Sequence, residues 1–119
     1  MKADNVIQQK SFEFAIRIIK VYKYLISEKK EFVLSKQLLR SGTSIGANIE
    51  ESIGGQSEKD FLSKISISYK ETRETIYWLK LLLATEYLSK KEAESLLGDA
   101  NELCKIIGKI QITVKSRNS

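Results

Sequence analysis

Residues 57–84 read SEKDFLSKISISYKETRETIYWLKLLLA, and this stretch decides the fold. It contains no proline or glycine, and its apolar or small side chains recur at the spacing that places them on one face of a helix. Ser57 begins the stretch as a candidate N-cap, with Asp60 three residues later in a box-like arrangement. The stretch therefore predicts a long helix that ends near Ala84. Its expected core face comprises Phe61, Ile65, Thr72, Ile76, Leu79 and Leu83.

Three further segments show the same periodicity. They run from about Gln8 to Ser27, from about Ser35 to Ile53, and onward from a capping box formed by Ser89 and Glu92. The 119 residues include no proline and six glycines, which favours a few long elements over the many turns of an all-β domain. Short connections make neighbouring helices antiparallel. The chain, residues 1–119, is predicted to be one all-α domain, an up-and-down antiparallel four-helix bundle.

The first helix carries two apolar stripes, although one is enough to join a bundle. We expect the stripe of Phe12, Ile16, Ile19 and Ile26 to face the core. The opposite stripe would then form an exposed apolar row of the kind that soluble monomers avoid, which predicts burial between subunits. Parts of the third helix are expected to join it. The predicted oligomer interface comprises Phe14, Ile18, Val21, Leu25, Ile67 and Trp78.

The second helix contains three residues with predicted structural roles. Gly42 and Gly46 lie four positions apart on one face, which predicts a close crossing with another helix, although the stretch read alone could be a loop. Asn48 lies at the edge of the apolar face. Because a buried amide must be hydrogen-bonded, we expect Asn48 to fix helix register rather than to bind a ligand.

The residue inventory offers little for catalysis. The chain has no histidine, which removes the commonest general base and the commonest metal ligand. Its single cysteine, Cys104, lies in an apolar stripe and is expected to be a buried structural thiol. The carboxylates of Glu50, Glu51, Glu71 and Glu74 lie among cations, as on a solvated face. We therefore expect no catalytic residues, no metal site, no cofactor and no enzymatic activity.

The charge balance is basic, with 20 lysines and arginines against 15 acids and a net charge of +5. Cations and tyrosines align on one side of the first helix and on one side of the third. Such faces neutralise phosphates and stack on exposed bases, but they also cover bundle edges with packed stems and solvated heads. The candidate nucleic-acid-binding residues are Arg17, Lys20, Arg40, Tyr69, Arg73, Tyr77 and Lys80.

A membrane role is not expected from this sequence. Residues 1–10 contain no apolar stretch like that of a signal peptide. The most apolar segment, Tyr77 to Ala84, is interrupted by Lys80 and is far too short to span a bilayer. The expected location is the cytoplasm.

Three stretches resemble a known family. They are FVLSKQLLRSGTSIGANIEE at residues 32–51, KDF at residues 59–61, and YKETRETIYWL at residues 69–79. They are similar to the 23S rRNA intervening-sequence proteins, bacterial four-helix bundle proteins, and the likeness covers nearly the whole chain. The stretch from Arg40 to Glu51 is the most specific part.

The resemblance implies assembly and an association with RNA. Genes of this family occur within intervening sequences of 23S rRNA genes, members form barrel-like homopentamers, and related accessory proteins of diversity-generating retroelements bind nucleic acid and a reverse transcriptase. No catalytic residue follows from the resemblance. Two hypotheses remain open: an oligomer, of five subunits as the resemblance implies, that binds RNA through basic surfaces, and a module whose partner is another protein.

Overall fold

The computed structural model describes residues 2–117, with side chains from residue 6 onward, and confirms an antiparallel four-helix bundle. The helices are α1 (Lys2–Ser27), α2 (Leu34–Ile53), α3 (Glu58–Ala84) and α4 (Lys90–Arg117). Each helix packs on the next, and α4 also contacts α1. The 48 × 21 × 21 Å envelope is about as long as its longest helices. Residues 1, 118 and 119 of the expected domain lie outside the described residues.

The two apolar stripes of α1 are exchanged relative to the sequence prediction. The stripe that was expected between subunits lies inside the core of the single chain, where Phe14 is 2% exposed and Ile18 and Leu25 are fully buried. Val21 is buried with them. The expected core residues Phe12, Ile16 and Ile19 are instead 64%, 41% and 39% exposed. The assignment of Phe14, Ile18, Val21 and Leu25 to an oligomer interface is therefore wrong.

The glycines of α2 help to explain why the stripe that contains Ile18 faces the core. A Cβ placed on Gly42 would lie 2.8 Å from both Cγ atoms of Ile18, so Ile18 occupies the space that a side chain would fill. A Cβ on Gly46 would lie 3.3 Å from the backbone oxygen of Ser11. The predicted close crossing is confirmed, and it joins α1 to α2. The two stripes are similarly apolar, and the inner one includes Ile18, which fits against Gly42.

Small hydroxyl side chains connect α2 to α3. The hydroxyl of Thr75 donates to the hydroxyl of Ser41 at 2.9 Å, and that of Ser68 donates to the Ile45 carbonyl at 2.9 Å. These buried hydrogen bonds cross between the helices. The half-buried Asn48 donates to the Ser44 carbonyl within α2, so the described bond of its amide does not link two helices. The hydrogen bonds that fix the register of α2 against α3 therefore come from Ser41, Ser68 and Thr75, which were not predicted from the sequence.

The helix starts combine two expected caps with one that was missed. Ser57 accepts from the backbone N–H of Asp60 at 3.1 Å, and Ser89 accepts from that of Glu92 at 3.2 Å, as predicted. The missed cap is Glu31, before α2. Its carboxylate accepts the backbone N–H groups of Val33 and Leu34, at 3.0 and 2.9 Å, and that of Ser35 at 2.6 Å.

Glu31 is a buried anion, only 8% exposed. Burial by itself raises the pKa of this carboxyl group, but the backbone donors of Leu34, Ser35 and Val33 and the Ser35 hydroxyl outweigh burial and leave the pKa below its ordinary value. The helix dipole favours the same negative charge at this end of α2. The start of α2 therefore depends on an ionised side chain.

The α1–α2 crossing predicts opposite effects for two glycine substitutions. Gly42→Ala should lower the free energy of unfolding by about 1–3 kcal/mol, because the added methyl group must displace the buried Ile18. Gly98→Ala is the control, since a Cβ there would meet nothing within 4 Å, and it should raise stability by up to about 1 kcal/mol. Urea denaturation followed by circular dichroism measures both. Equal stabilisation by the two substitutions would contradict the close crossing.

The Glu31 cap predicts acid sensitivity. Because the folded pKa is lowered, the cap stabilises the protein fully above about pH 4.5, and this contribution is lost as the pH falls through the folded pKa. Glu31→Gln should cost about 1–2 kcal/mol at pH 7 and flatten the pH dependence of stability below pH 5. The control is the exposed Glu28→Gln. Denaturation curves from pH 3 to pH 7 test this, and an unchanged slope in Glu31→Gln would refute the role of the cap.

Candidate nucleic-acid interface

Arg17, the first cation proposed from the sequence, is held by α4. Its guanidinium lies 2.6 Å from the Asp99 carboxylate and donates to the Ser95 hydroxyl at 3.0 Å. Lys10 pairs with Glu102 at 2.5 Å along the same edge of the bundle. These pairs join α1 to α4, so Arg17 serves the fold and offers little charge to an external anion.

Arg40 is held in the same way between α2 and α3. Its guanidinium pairs with Glu71 at 3.1 Å and with Glu74. The Glu74 carboxylate also accepts the indole N–H of Trp78 at 2.9 Å. The Trp78 hydrogen bond is the main cause that lowers the pKa of Glu74; Arg40 acts in the same direction, and partial burial opposes both. Arg40 therefore completes a structural network rather than a free cationic site.

Tyr69 packs between helices. The ring is half-buried, and a Cβ on Gly108 of α4 would lie 3.4 Å from its Cε2 atom. Gly108 therefore gives the ring room against the backbone of α4. Tyr69 fills the α3–α4 contact and is poorly placed to stack on an external base.

Lys20 lies apart from the remaining candidates. It lines an open groove of about 510 Å³ between α1 and the start of α4, next to Tyr24 and Arg17. The carboxylate-bearing Glu92 lines the same groove, and Asp99 and Glu102 line the next one along this edge. The α1–α4 edge therefore presents charges of both signs.

Arg73, Tyr77 and Lys80 come together in a groove of about 340 Å³ between α3 and α4. We call it the α3–α4 groove, and its other lining residues are Ile76, Asn101 and Cys104. No carboxylate is among its lining residues. Within residues 6–117, no acidic group lies in ion-pair contact with Arg73 or Lys80.

Asn101 and Cys104 were not recognised as site residues from the sequence. Cys104 was expected to be a buried structural thiol, but it is half-buried and lines the α3–α4 groove. The spacing of 73, 77 and 80 places those three side chains on neighbouring parts of one helix surface. No sequence signal, however, gives the register of α3 against α4, which brings Asn101 and Cys104 beside them.

An exposed apolar strip runs along the outer surface of α1 and approaches α2 at Phe12. It consists of Phe12, Ile16 and Ile19 and continues into a groove of about 200 Å³, whose lining includes Ala15, Thr43 and Ala47. We call this surface the α1–α2 strip. Of the two α3 residues assigned to an oligomer interface, Ile67 is exposed and Trp78 is half-buried against the core. Their contact with another subunit stays a prediction.

The described part of the chain offers neither a cluster of metal ligands nor a membrane-spanning helix. No group of three or more histidine, cysteine, aspartate or glutamate side chains is placed to hold a metal ion there. Among the described residues, no helix combines the length and the apolar character needed to cross a membrane.

The likeness to known proteins agrees with the fold. The family model of the 23S rRNA-intervening sequence proteins matches residues 3–109. The chain belongs to this family. The match spans all three connections and most of the four helices, including the α1–α2 strip and the α3–α4 groove.

A solved relative shows the same architecture. It is a crystal structure of a protein of unknown function from the S23 ribosomal protein family of Bacteroides thetaiotaomicron, with 52% sequence identity and a TM-score of 0.90. The alignment covers 92% of this chain and 97% of that one. No curated protein matches the chain. Family membership and fold are thereby shown, without a binding activity.

Proposed function

We propose that this protein is a non-enzymatic, self-associating RNA-binding protein whose RNA-contacting surface is the α3–α4 groove. The observation that carries the proposal is a pair of cations, Arg73 and Lys80, that have no ion pair within residues 6–117 and lie in a groove without a lining carboxylate. Arg17 and Arg40, which face a neighbouring helix elsewhere in the bundle, each pair with an acid there. A phosphate would supply the counter-charge that α4 does not.

RNA is preferred to other polyanions because an aromatic ring accompanies the two cations. Tyr77 lines the groove with them and is 55% exposed. Cations neutralise phosphates of any polyanion, whereas an exposed ring can also stack on a base. The family's link to rRNA genes supports the same choice. The RNA-binding residues proposed here are thus Arg73, Tyr77 and Lys80, without Arg17, Lys20, Arg40 or Tyr69.

Self-association is proposed through the α1–α2 strip with a second copy of the chain. Phe12, Ile16 and Ile19 form an exposed row that burial between subunits would remove from water. The homopentamers of the family suggest five subunits. Five copies of a chain with a net charge of +5 give a formal charge of about +25, and repeated grooves raise avidity when one RNA reaches several of them.

The α1–α2 strip also supports the second candidate function, a module whose partner is a different protein. The same apolar row could receive another protein's helix. RNA affinity together with self-association would favour the preferred RNA-binding oligomer. The absence of both would favour the protein-partner module.

Charge reversal in the α3–α4 groove should weaken RNA binding. Arg73→Glu combined with Lys80→Glu should lower affinity for an RNA hairpin with a single-stranded loop, and should reduce the slope of log affinity against log salt by about two. The control is Lys29→Glu combined with Lys36→Glu, which makes the same change in net charge at exposed positions near the start of α2. Fluorescence anisotropy at several salt concentrations measures both.

The two double variants distinguish binding at the α3–α4 groove from a general attraction of RNA to the net charge of the protein. A larger loss in the groove variant supports the proposed surface, and equal losses mean that net charge alone attracts the RNA. Failure of the unmodified protein to bind the hairpin at low salt would reject RNA binding in favour of the protein-partner function.

Polar substitution of the α1–α2 strip should lower the subunit number. Phe12→Ser combined with Ile16→Ser removes exposed apolar surface and should leave helicity unchanged, because neither side chain is in the core. The control is Ile112→Ser on α4, an equally exposed apolar position. Light scattering with circular dichroism measures mass and helicity. A clean monomer in the unmodified protein, or an intact oligomer in the double variant, would contradict the proposed interface.

A further inference from the structure

We infer that the α3–α4 groove receives an unpaired nucleotide, with the base stacked on Tyr77 and its edge beside Asn101, rather than the backbone of a duplex. This inference rests on the proposed RNA binding and specifies its substrate. Its basis is the juxtaposition, in one groove of about 340 Å³, of an aromatic ring, an amide and two cations that form no ion pair within residues 6–117.

Tyr77 supplies the stacking surface. Its ring meets Trp78 in an edge-on contact, with centroids 5.2 Å apart and planes inclined by 64°. This contact helps to hold the Tyr77 ring while 55% of the residue stays exposed. The half-buried Trp78 is in turn hydrogen-bonded to Glu74. A ring supported in this way loses little freedom when a base stacks on it.

Asn101 and the two cations provide the polar complement. The Asn101 amide has both donors and an acceptor, so it can pair with the edge of any base. It is exposed on α4 and has no described hydrogen bond, whereas Gln111, ten residues farther along α4, is bonded to Ser66 of α3. Arg73 and Lys80 lie seven positions apart, about two helical turns, on either side of Tyr77. This arrangement lets phosphates flank a stacked base.

A duplex can make few of the stacking and base-edge contacts that these groups offer. Its bases are stacked on one another and offer no face to Tyr77, and the RNA major groove is too narrow for side chains to read. A loop, bulge or single strand exposes both base faces and base edges. The groove volume also lies near the lower end of the range for small-ligand pockets, which suits one nucleotide.

Cys104 allows the inference to be tested directly. It is the single cysteine of the chain and lines the same groove. The full-length protein is treated with iodoacetamide alone, with a mixed-sequence single-stranded RNA of twelve nucleotides, or with the same RNA annealed to its complement, and alkylation is followed by intact mass. We expect the single strand to slow alkylation and the duplex to do so much less at equal concentration.

Substitution supplies the second measurement. Tyr77→Ala should weaken single-strand affinity by roughly five- to a hundredfold, the range expected for loss of base stacking. Asn101→Ala should weaken it by roughly two- to tenfold. Tyr24→Ala is the matched control, because Tyr24 is similarly exposed but lies on the α1–α4 edge, and it should have little effect.

The outcomes separate this inference from the proposed function. Equal binding of single strand and duplex, or full affinity in Tyr77→Ala, would overturn the nucleotide site and leave general RNA binding standing. If RNA binds but does not slow the alkylation of a reactive Cys104, the RNA lies on another surface, and the nucleotide site is overturned as well. If Cys104 does not react in the free protein, the single-strand affinities of Tyr77→Ala and Asn101→Ala decide whether the nucleotide site stands. Absence of binding to every RNA would reject the proposed function itself.

Discussion

The bundle depends on the close approach of α1 and α2 at Gly42. Ile18 fills the space over Gly42, and the α2 backbone at Gly46 comes near the backbone of Ser11. This contact selects which of two apolar stripes of α1 turns inward. Once Ile18 is seated, Phe14 and Leu25 follow into the core on the same face, and Phe12, Ile16 and Ile19 must face outward. One fit between a glycine and a β-branched side chain thus also creates the exposed α1–α2 strip.

The edges of the bundle are joined by different chemistry. Arg17 with Asp99 and Lys10 with Glu102 connect α1 to α4, while Arg40 with Glu71 and Glu74 connects α2 to α3. Such partly exposed pairs each add about 1 kcal/mol or less to stability. Their greater consequence is electrostatic, since they neutralise cations that sequence alone presents as available. Within residues 6–117, Arg73 and Lys80 at the α3–α4 edge have no such carboxylate partner.

The sequence predicted the fold well because periodicity and capping are local signals. Helices α2, α3 and α4 begin where the spacing and the caps at Ser57 and Ser89 indicated, and the glycines of α2 lie inside a helix as expected. The orientation of α1 could not be predicted, because a helical wheel with two apolar faces does not say which face meets Gly42. The Glu31 cap was also missed, since a carboxylate that folds back on the following backbone has no distinctive spacing.

The candidate site was only partly predictable, because it too depends on contacts between helices that local sequence signals do not give. A wheel shows that Arg73, Tyr77 and Lys80 share a side of α3, but whether a cation is free depends on what the neighbouring helix offers. For Arg40 that neighbour carries two glutamates, and for Arg73 and Lys80 it carries Asn101 and Cys104.

The two proposed surfaces are compatible because of their places in the bundle. The α1–α2 strip and the α3–α4 groove belong to different helix pairs, and the packing order places those pairs on opposite sides. A contact that buries only the strip would therefore leave the α3–α4 groove open to solvent. The same separation means that, under the proposal, polar substitutions in the strip would change assembly, while charge reversal at Arg73 and Lys80 would change RNA binding. If avidity contributes to RNA binding, loss of assembly should weaken binding to a long RNA more than to a single short strand, because only the long RNA can span several grooves.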